Sequence, residues 1–106
     1  MYDRDKIARL LGNPDKVDDF IQLFKEESKS LFDQLKLTFH NKNYEALNRQ
    51  AHSLKNHFEY VGLSKLSNLA FALEMESEKQ KNASRIALCY HKLVDHSTEK
   101  LSFLNH

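Results

Sequence analysis

Leu47-Asn48-Arg49-Gln50-Ala51-His52-Ser53-Leu54-Lys55-Asn56-His57-Phe58-Glu59-Tyr60-Val61-Gly62 carries the pattern on which the fold turns. Its apolar members Leu47, Ala51, Leu54, Phe58 and Val61 step by 4, 3, 4 and 3 residues. That spacing returns to one side of an α-helix and draws a narrow apolar seam along it. A helix with a single seam is marginal in water, so partner helices must cover it. Asn43 upstream can cap this helix and Gly62 stops it, which predicts a helix over 44–60.

The same reading extends in both directions. Toward the N-terminus, Gly12-Asn13-Pro14-Asp15 combines a left-handed stop, an N-cap, a first helical position and a carboxylate at the positive end of the next helix dipole. It separates a short helix over about 4–11 from a long one over about 14–41. The long helix carries Val17, Phe20, Ile21, Phe24, Leu31, Leu35 and Phe39 on one stripe, with a bend expected near Ser28-Lys29-Ser30. Toward the C-terminus, Ser64 is the expected cap of a helix over about 65–80 carrying Leu66, Leu69, Ala70 and Leu73. Lys79-Gln80-Lys81-Asn82 breaks the chain again. A last helix over about 83–104 carries Ile86, Tyr90, Leu93, Ser97, Leu101 and Leu104. Loops this short make successive helices antiparallel. The expected fold is all-α: an up-and-down four-helix bundle closed at one end by a short N-terminal helix.

Composition agrees. The chain has 106 residues, 41% hydrophobic and 29% charged, which suits one domain over 1–106 with a core of its own. Two Gly and one Pro are too few for an all-β sandwich or a glycine-rich phosphate loop. Sixteen Lys and Arg against fifteen Asp and Glu argue against nucleic-acid binding by bulk charge. A single cysteine, Cys89, allows no internal disulfide and suggests a reducing, cytoplasmic setting. No apolar run reaches the roughly 20 residues of a membrane span, and the N-terminus does not read as a signal peptide.

Chemistry-bearing residues are few. The chain has six histidines, yet none pair at i, i+3 or i, i+4. His52 and His57, like His91 and His96, are five apart, about 140° around a helix, so no metal site is expected. No nucleophile elbow is present, and Cys89 reads as a small core hydrophobe. What remains is the polar stripe beside the seam: His52, Lys55, Asn56 and Glu59. His52 and Lys55 are three apart and neighbours on one face. A solvated imidazole can accept a phosphoryl group on Nε2, and an adjacent ammonium offsets the arriving charge. The plain alternative is one more surface histidine.

The segment resembles the signature of histidine phosphotransfer (HPt) domains of phosphorelays, roughly Ala-His-x-Leu-Lys-Gly with a further Gly ten residues after the His. Ala51, His52, Leu54, Lys55 and Gly62 stand in register with it. Tyr44-Glu45-Ala46-Leu47 and the run Leu66-x-x-Leu69-Ala70-x-x-Leu73-Glu74 extend the resemblance over nearly the whole chain. It implies a phosphoryl carrier without kinase or hydrolase activity. His52 would take the phosphoryl group from a receiver-domain phospho-aspartate and pass it to another receiver.

Lys55 would stabilise its charge, and Glu74, 22 residues after His52, would hold Nδ1. Arg49, Asn56 and Glu59 would contact the partner. The implied partners are response-regulator receivers and a hybrid histidine kinase, with the chain a monomer that binds neither nucleic acid nor membrane. No cofactor of its own is implied, the Mg²⁺ belonging to the receiver. The chain departs from the family at Asn56, where the family usually has Gly, and the expectation is that its bulk obstructs docking. A module that binds receivers without phosphorylation, or a plain helical adaptor, are the competing readings.

Overall fold

The computed structural model describes residues 2–101. Among these all regular structure is helical: α1 (Arg4–Leu11), a 3-10 turn (Pro14–Lys16), α2 (Val17–His40), α3 (Tyr44–Tyr60), α4 (Ser64–Lys79) and α5 (Ala83–Lys100). No helix is long and apolar enough to cross a membrane.

Local chemistry sets most of the boundaries. A side-chain oxygen at the N-cap takes up a backbone N–H that the first turn leaves unpaired. Asp3 does so for Lys6 N at 3.0 Å, Asn43 for Ala46 N at 3.1 Å and Asn82 for Arg85 N at 3.1 Å. Asn13 accepts from Asp15 N at 2.9 Å and starts the 3-10 turn that leads into α2. Gly12, at φ 70°, ends α1 in the left-handed region.

The helices share one core. α3 packs against both α2 and α4, and α4 against α5. Phe39 of α2 stacks on Tyr90 of α5, with ring centroids 3.9 Å apart and planes 5° from parallel. The predicted seam of α3 is buried throughout, with Leu47, Ala51, Leu54, Phe58 and Val61 at 1% exposure or less. Burying large side chains such as Leu54 and Phe58 stabilises the bundle by roughly 2 kcal/mol each. Ala51 of α3 and Ala70 of α4 are both wholly buried, and small side chains there let the two helices approach closely.

Five details differ from the sequence reading. The long helix expected from 14 begins at Val17, because Pro14–Lys16 close as a 3-10 turn on Asn13. α2 runs unbroken through Ser28, whose buried hydroxyl donates to the Phe24 carbonyl at 2.7 Å within the helix and so needs no bend to be satisfied. Phe32 is buried on α2, whereas Leu31 is only half-buried, because the contacts with α3 rotate the stripe. α4 starts one residue early. Its N-cap is Leu63, and Ser64 is an exposed first helical residue; the burial of Leu63 sets where the turn closes. α5 ends at Lys100, and Leu104 lies outside the described residues.

α1 is tied to the end of α3. Asp3 N–H donates to the Val61 carbonyl at 3.0 Å, Lys6 Nζ donates to the Glu59 carbonyl at 2.8 Å, and Ile7 is fully buried.

Candidate functional site

His52 lies on α3 directly after buried Ala51, which turns its imidazole out of the core beside α4. The ring is half exposed, at 52%, against 17% for the Glu74 side chain across the helix interface. His52 Nδ1 and Glu74 Oε2 are 2.8 Å apart. A carboxylate only accepts, so this contact puts the ring proton on Nδ1 and leaves the Nε2 lone pair free of it. Nε2 faces Asn56, whose Nδ2 lies 3.3 Å away.

The reach of Glu74 depends on how α4 lies on α3, and two cross-helix hydrogen bonds hold that register. Asn48 Nδ2 donates to the Glu74 carbonyl at 2.8 Å, and Ser67 Oγ donates to the Lys55 carbonyl at 3.1 Å. Sequence reasoning missed both residues. Asn48, four residues before His52 and on the same face, could have been found; the partner of Ser67 on another helix could not.

Lys55 is only half exposed. Its Nζ lies 5.4 Å from the centroid of the Phe71 ring of α4, within cation–π range. Phe71 is exposed at 46%, so this aromatic holds the ammonium on the His52 side of the bundle in contact with solvent. Arg49 and Glu59 are exposed, Arg49 Nη1 pairing with Glu45 at 3.6 Å. The structure thus brings His52, Glu74, Asn56 and Lys55 to one face, with Arg49 and Glu59 at its margins.

Beside this face, between α2 and α3, lies a groove of about 370 Å³ lined by Phe20, Leu23, Phe24, Glu27, Asn56, His57 and Tyr60. His57 is part of that lining. Its ring stacks on Phe24 at 4.0 Å, and its Nε2 lies 2.7 Å from Ser28 Oγ. The Ser28 hydroxyl already donates to Phe24, so Nε2–H of His57 donates to Ser28. Among the described residues, no group of three or more His, Cys, Asp and Glu side chains could hold a metal ion.

The family model of the Hpt domain matches residues 19–101. The chain belongs to the Hpt domain family. No curated protein and no solved structure matches it significantly. Hpt domains are phosphotransfer modules of two-component systems, and their partners are receiver domains of response regulators.

In this Hpt domain His57 is a structural residue with a pH dependence. Burial lowers its pKa from 6.5 to about 4, against a smaller upward pull from the Phe24 carbonyl. Between those values the unfolded chain binds a proton that the folded chain refuses, so stability falls as pH drops from 6.5 to about 4. Allowing for the solvent that reaches the partly exposed ring, the loss is about 2 kcal/mol. His57→Phe keeps the stack on Phe24 and removes the titration. Urea unfolding at neutral pH and at the acid end of that range should show a smaller acid loss in the variant by about that amount. Equal acid losses in the two proteins would refute the assignment.

Proposed function

We propose that this Hpt domain is a phosphorelay intermediate whose phospho-accepting residue is His52. The observation that carries the reading is the 2.8 Å contact of His52 Nδ1 with Glu74 on a half-exposed ring, which leaves Nε2 with only the 3.3 Å contact to Asn56. The contact supports a nucleophile already in the right tautomer. A receiver docks over His52 and the neighbouring groove, and Nε2 attacks phosphorus in line as the bond to the receiver's aspartate breaks. The aspartate leaves as a carboxylate. The ring keeps its Nδ1 proton and gains positive charge, which Glu74 offsets. A second receiver reverses the step.

Such transfers need chiefly positioning and charge neutralisation, so the receiver's own Mg²⁺ and side chains supply the remainder and this chain needs no cofactor. The reading assigns the chain no kinase or hydrolase activity of its own. It takes residues 1–106 as one domain, an antiparallel up-and-down four-helix bundle acting as a cytoplasmic monomer. Receivers are its partners, a hybrid histidine kinase feeds it, and neither nucleic acid nor membrane is bound. Arg49, Asn56 and Glu59 border the docking face.

The test is incubation with a receiver carrying labelled phospho-aspartate. Acid-labile, base-stable label on the chain is the expected result. A stable complex that never acquires label would overturn the reading in favour of a module that binds receivers only.

Lys55→Ala probes the charge. On this reading the ammonium, three residues along α3 from His52, offsets the charge of the arriving phosphoryl oxygens, and losing it should slow transfer in both directions by about tenfold or more. Stability should fall by only about 0.5–1 kcal/mol, the contribution of the exposed contact with Phe71. Wild-type rates in both directions would remove Lys55 from the site.

A further inference from the structure

Asn56 does more than occupy space one turn along from His52. Its Nδ2 lies 3.3 Å from His52 Nε2, the nitrogen that would form the bond to phosphorus. An amide NH₂ is a donor only, so the contact forms only while Nε2 carries a lone pair and no proton. Glu74 acts on the opposite nitrogen at 2.8 Å. The ring is thus held from both sides, by an acceptor on Nδ1 from α4 and a donor on Nε2 from its own helix. Of the charged groups around it, Glu74 on α4 is in contact with the ring, Lys55 on α3 lies over Phe71, and Glu27 on α2 lines the groove beside Asn56.

We infer that Asn56 is a positioning residue: it holds His52 in the attacking tautomer and, when the phosphoryl group arrives, turns its amide from Nε2 to a phosphoryl oxygen. The inference rests on the phosphorelay reading and deepens it. In the step, the Nε2 lone pair becomes the N–P bond, the P–O bond to the receiver's aspartate breaks, and its electron pair stays on the aspartate. No proton leaves the ring. The hydrogen bond from Asn56 must break first, and at 3.3 Å on an exposed surface it is a weak one. Once Nε2 is bonded to phosphorus it can no longer accept, and the nearest acceptors for the same N–H are the phosphoryl oxygens. Obstruction alone predicts faster transfer when the side chain is trimmed; the amide contact predicts slower transfer.

Three variants and two measurements test this. Nitrogen NMR of the His52 ring reads its tautomer without any receiver, and transfer from a phosphorylated receiver reads the rate. Asn56→Asp is nearly isosteric but replaces the donor with an acceptor. It should raise the proportion of ring protonated on Nε2, because a carboxylate there accepts where the amide donated, and slow transfer several-fold. Asn56→Ala should raise the proportion of ring protonated on Nε2 and slow transfer several-fold, with the melting curve little changed. Asn56→Gln, which keeps the amide on a longer arm, should recover part of that loss.

An unchanged ring tautomer in Asn56→Asp, or transfer as fast as or faster than wild type in Asn56→Ala, would overturn the inference. If wild type itself takes no phosphate from any receiver, the phosphorelay reading fails. The NMR result then still decides whether Asn56 sets the state of the ring.

Discussion

His52→Gln should abolish uptake of acid-labile phosphate, a loss of at least about a thousandfold, to background. Glutamine supplies an amide that can still donate to Glu74, but it offers no nitrogen lone pair able to attack phosphorus. The substituted side chain is half exposed and outside the core, so stability should move by only about 0.5 kcal/mol. The loss is therefore chemical and not a consequence of unfolding. The other histidines are poor substitutes. His57 is partly buried, with its Nε2 engaged by Ser28 at 2.7 Å. Among the described residues, His52 is the one histidine paired with a carboxylate. Labelled receiver, quenched in base and resolved on a gel, gives the measurement. Label persisting on His52→Gln would move the acceptor elsewhere.

Gly62→Ala should destabilise the bundle by about 3 kcal/mol, lowering the melting temperature by about 12 °C. Two effects add. At φ 78° an alanine pays roughly 1 kcal/mol or more for the left-handed conformation. Its Cβ would also lie 2.5 Å from Cβ of Asp3, with the Asp3 backbone nitrogen 3.5 Å away. Asp3 cannot yield freely, because its N–H is bonded to Val61 and its carboxylate caps α1. The clash must push α1 off the end of α3 and uncover Ile7. Gly12→Ala is the internal control. Gly12 has φ 70° and nothing within 4 Å of the added methyl, so only the backbone strain of about 1 kcal/mol applies. Equal melting temperatures for the two variants would show that α1 does not bear on Gly62.

Much of this molecule was legible in one dimension. The stop at Gly12, the start at Asn43 and the start after the 79–82 break read correctly because capping is local: the side-chain oxygen of Asn43 or Asn82 reaches an N–H three residues on, whereas Asn13 caps a 3-10 turn and α2 begins only at Val17. The seam of α3 read correctly because its period is short and its residues are unambiguous. It was enough to turn His52 outward. The pairing of Glu74 with that ring entered only through a family resemblance, since nothing in a spacing of 22 residues says that two helices will meet there.

Tertiary packing decided the remainder. Buried Ala51 and Ala70, with Asn48 bonded to the Glu74 carbonyl, set the separation and register of α3 and α4, and those bring a carboxylate within 2.8 Å of Nδ1. On α2 the choice of Phe32 over Leu31 belonged to the partner helices, because over 24 residues a 3.6-residue period leaves the exact rotation open. Gly62 read as a helix stop, which it is, but the approach of Asp3 is a contact across 59 residues that no local rule contains. Lys55 lies over Phe71 for the same reason. Capping and periodicity act within a few residues along the chain, whereas the distance from one helix to a side chain on another exists only once the core between them has packed.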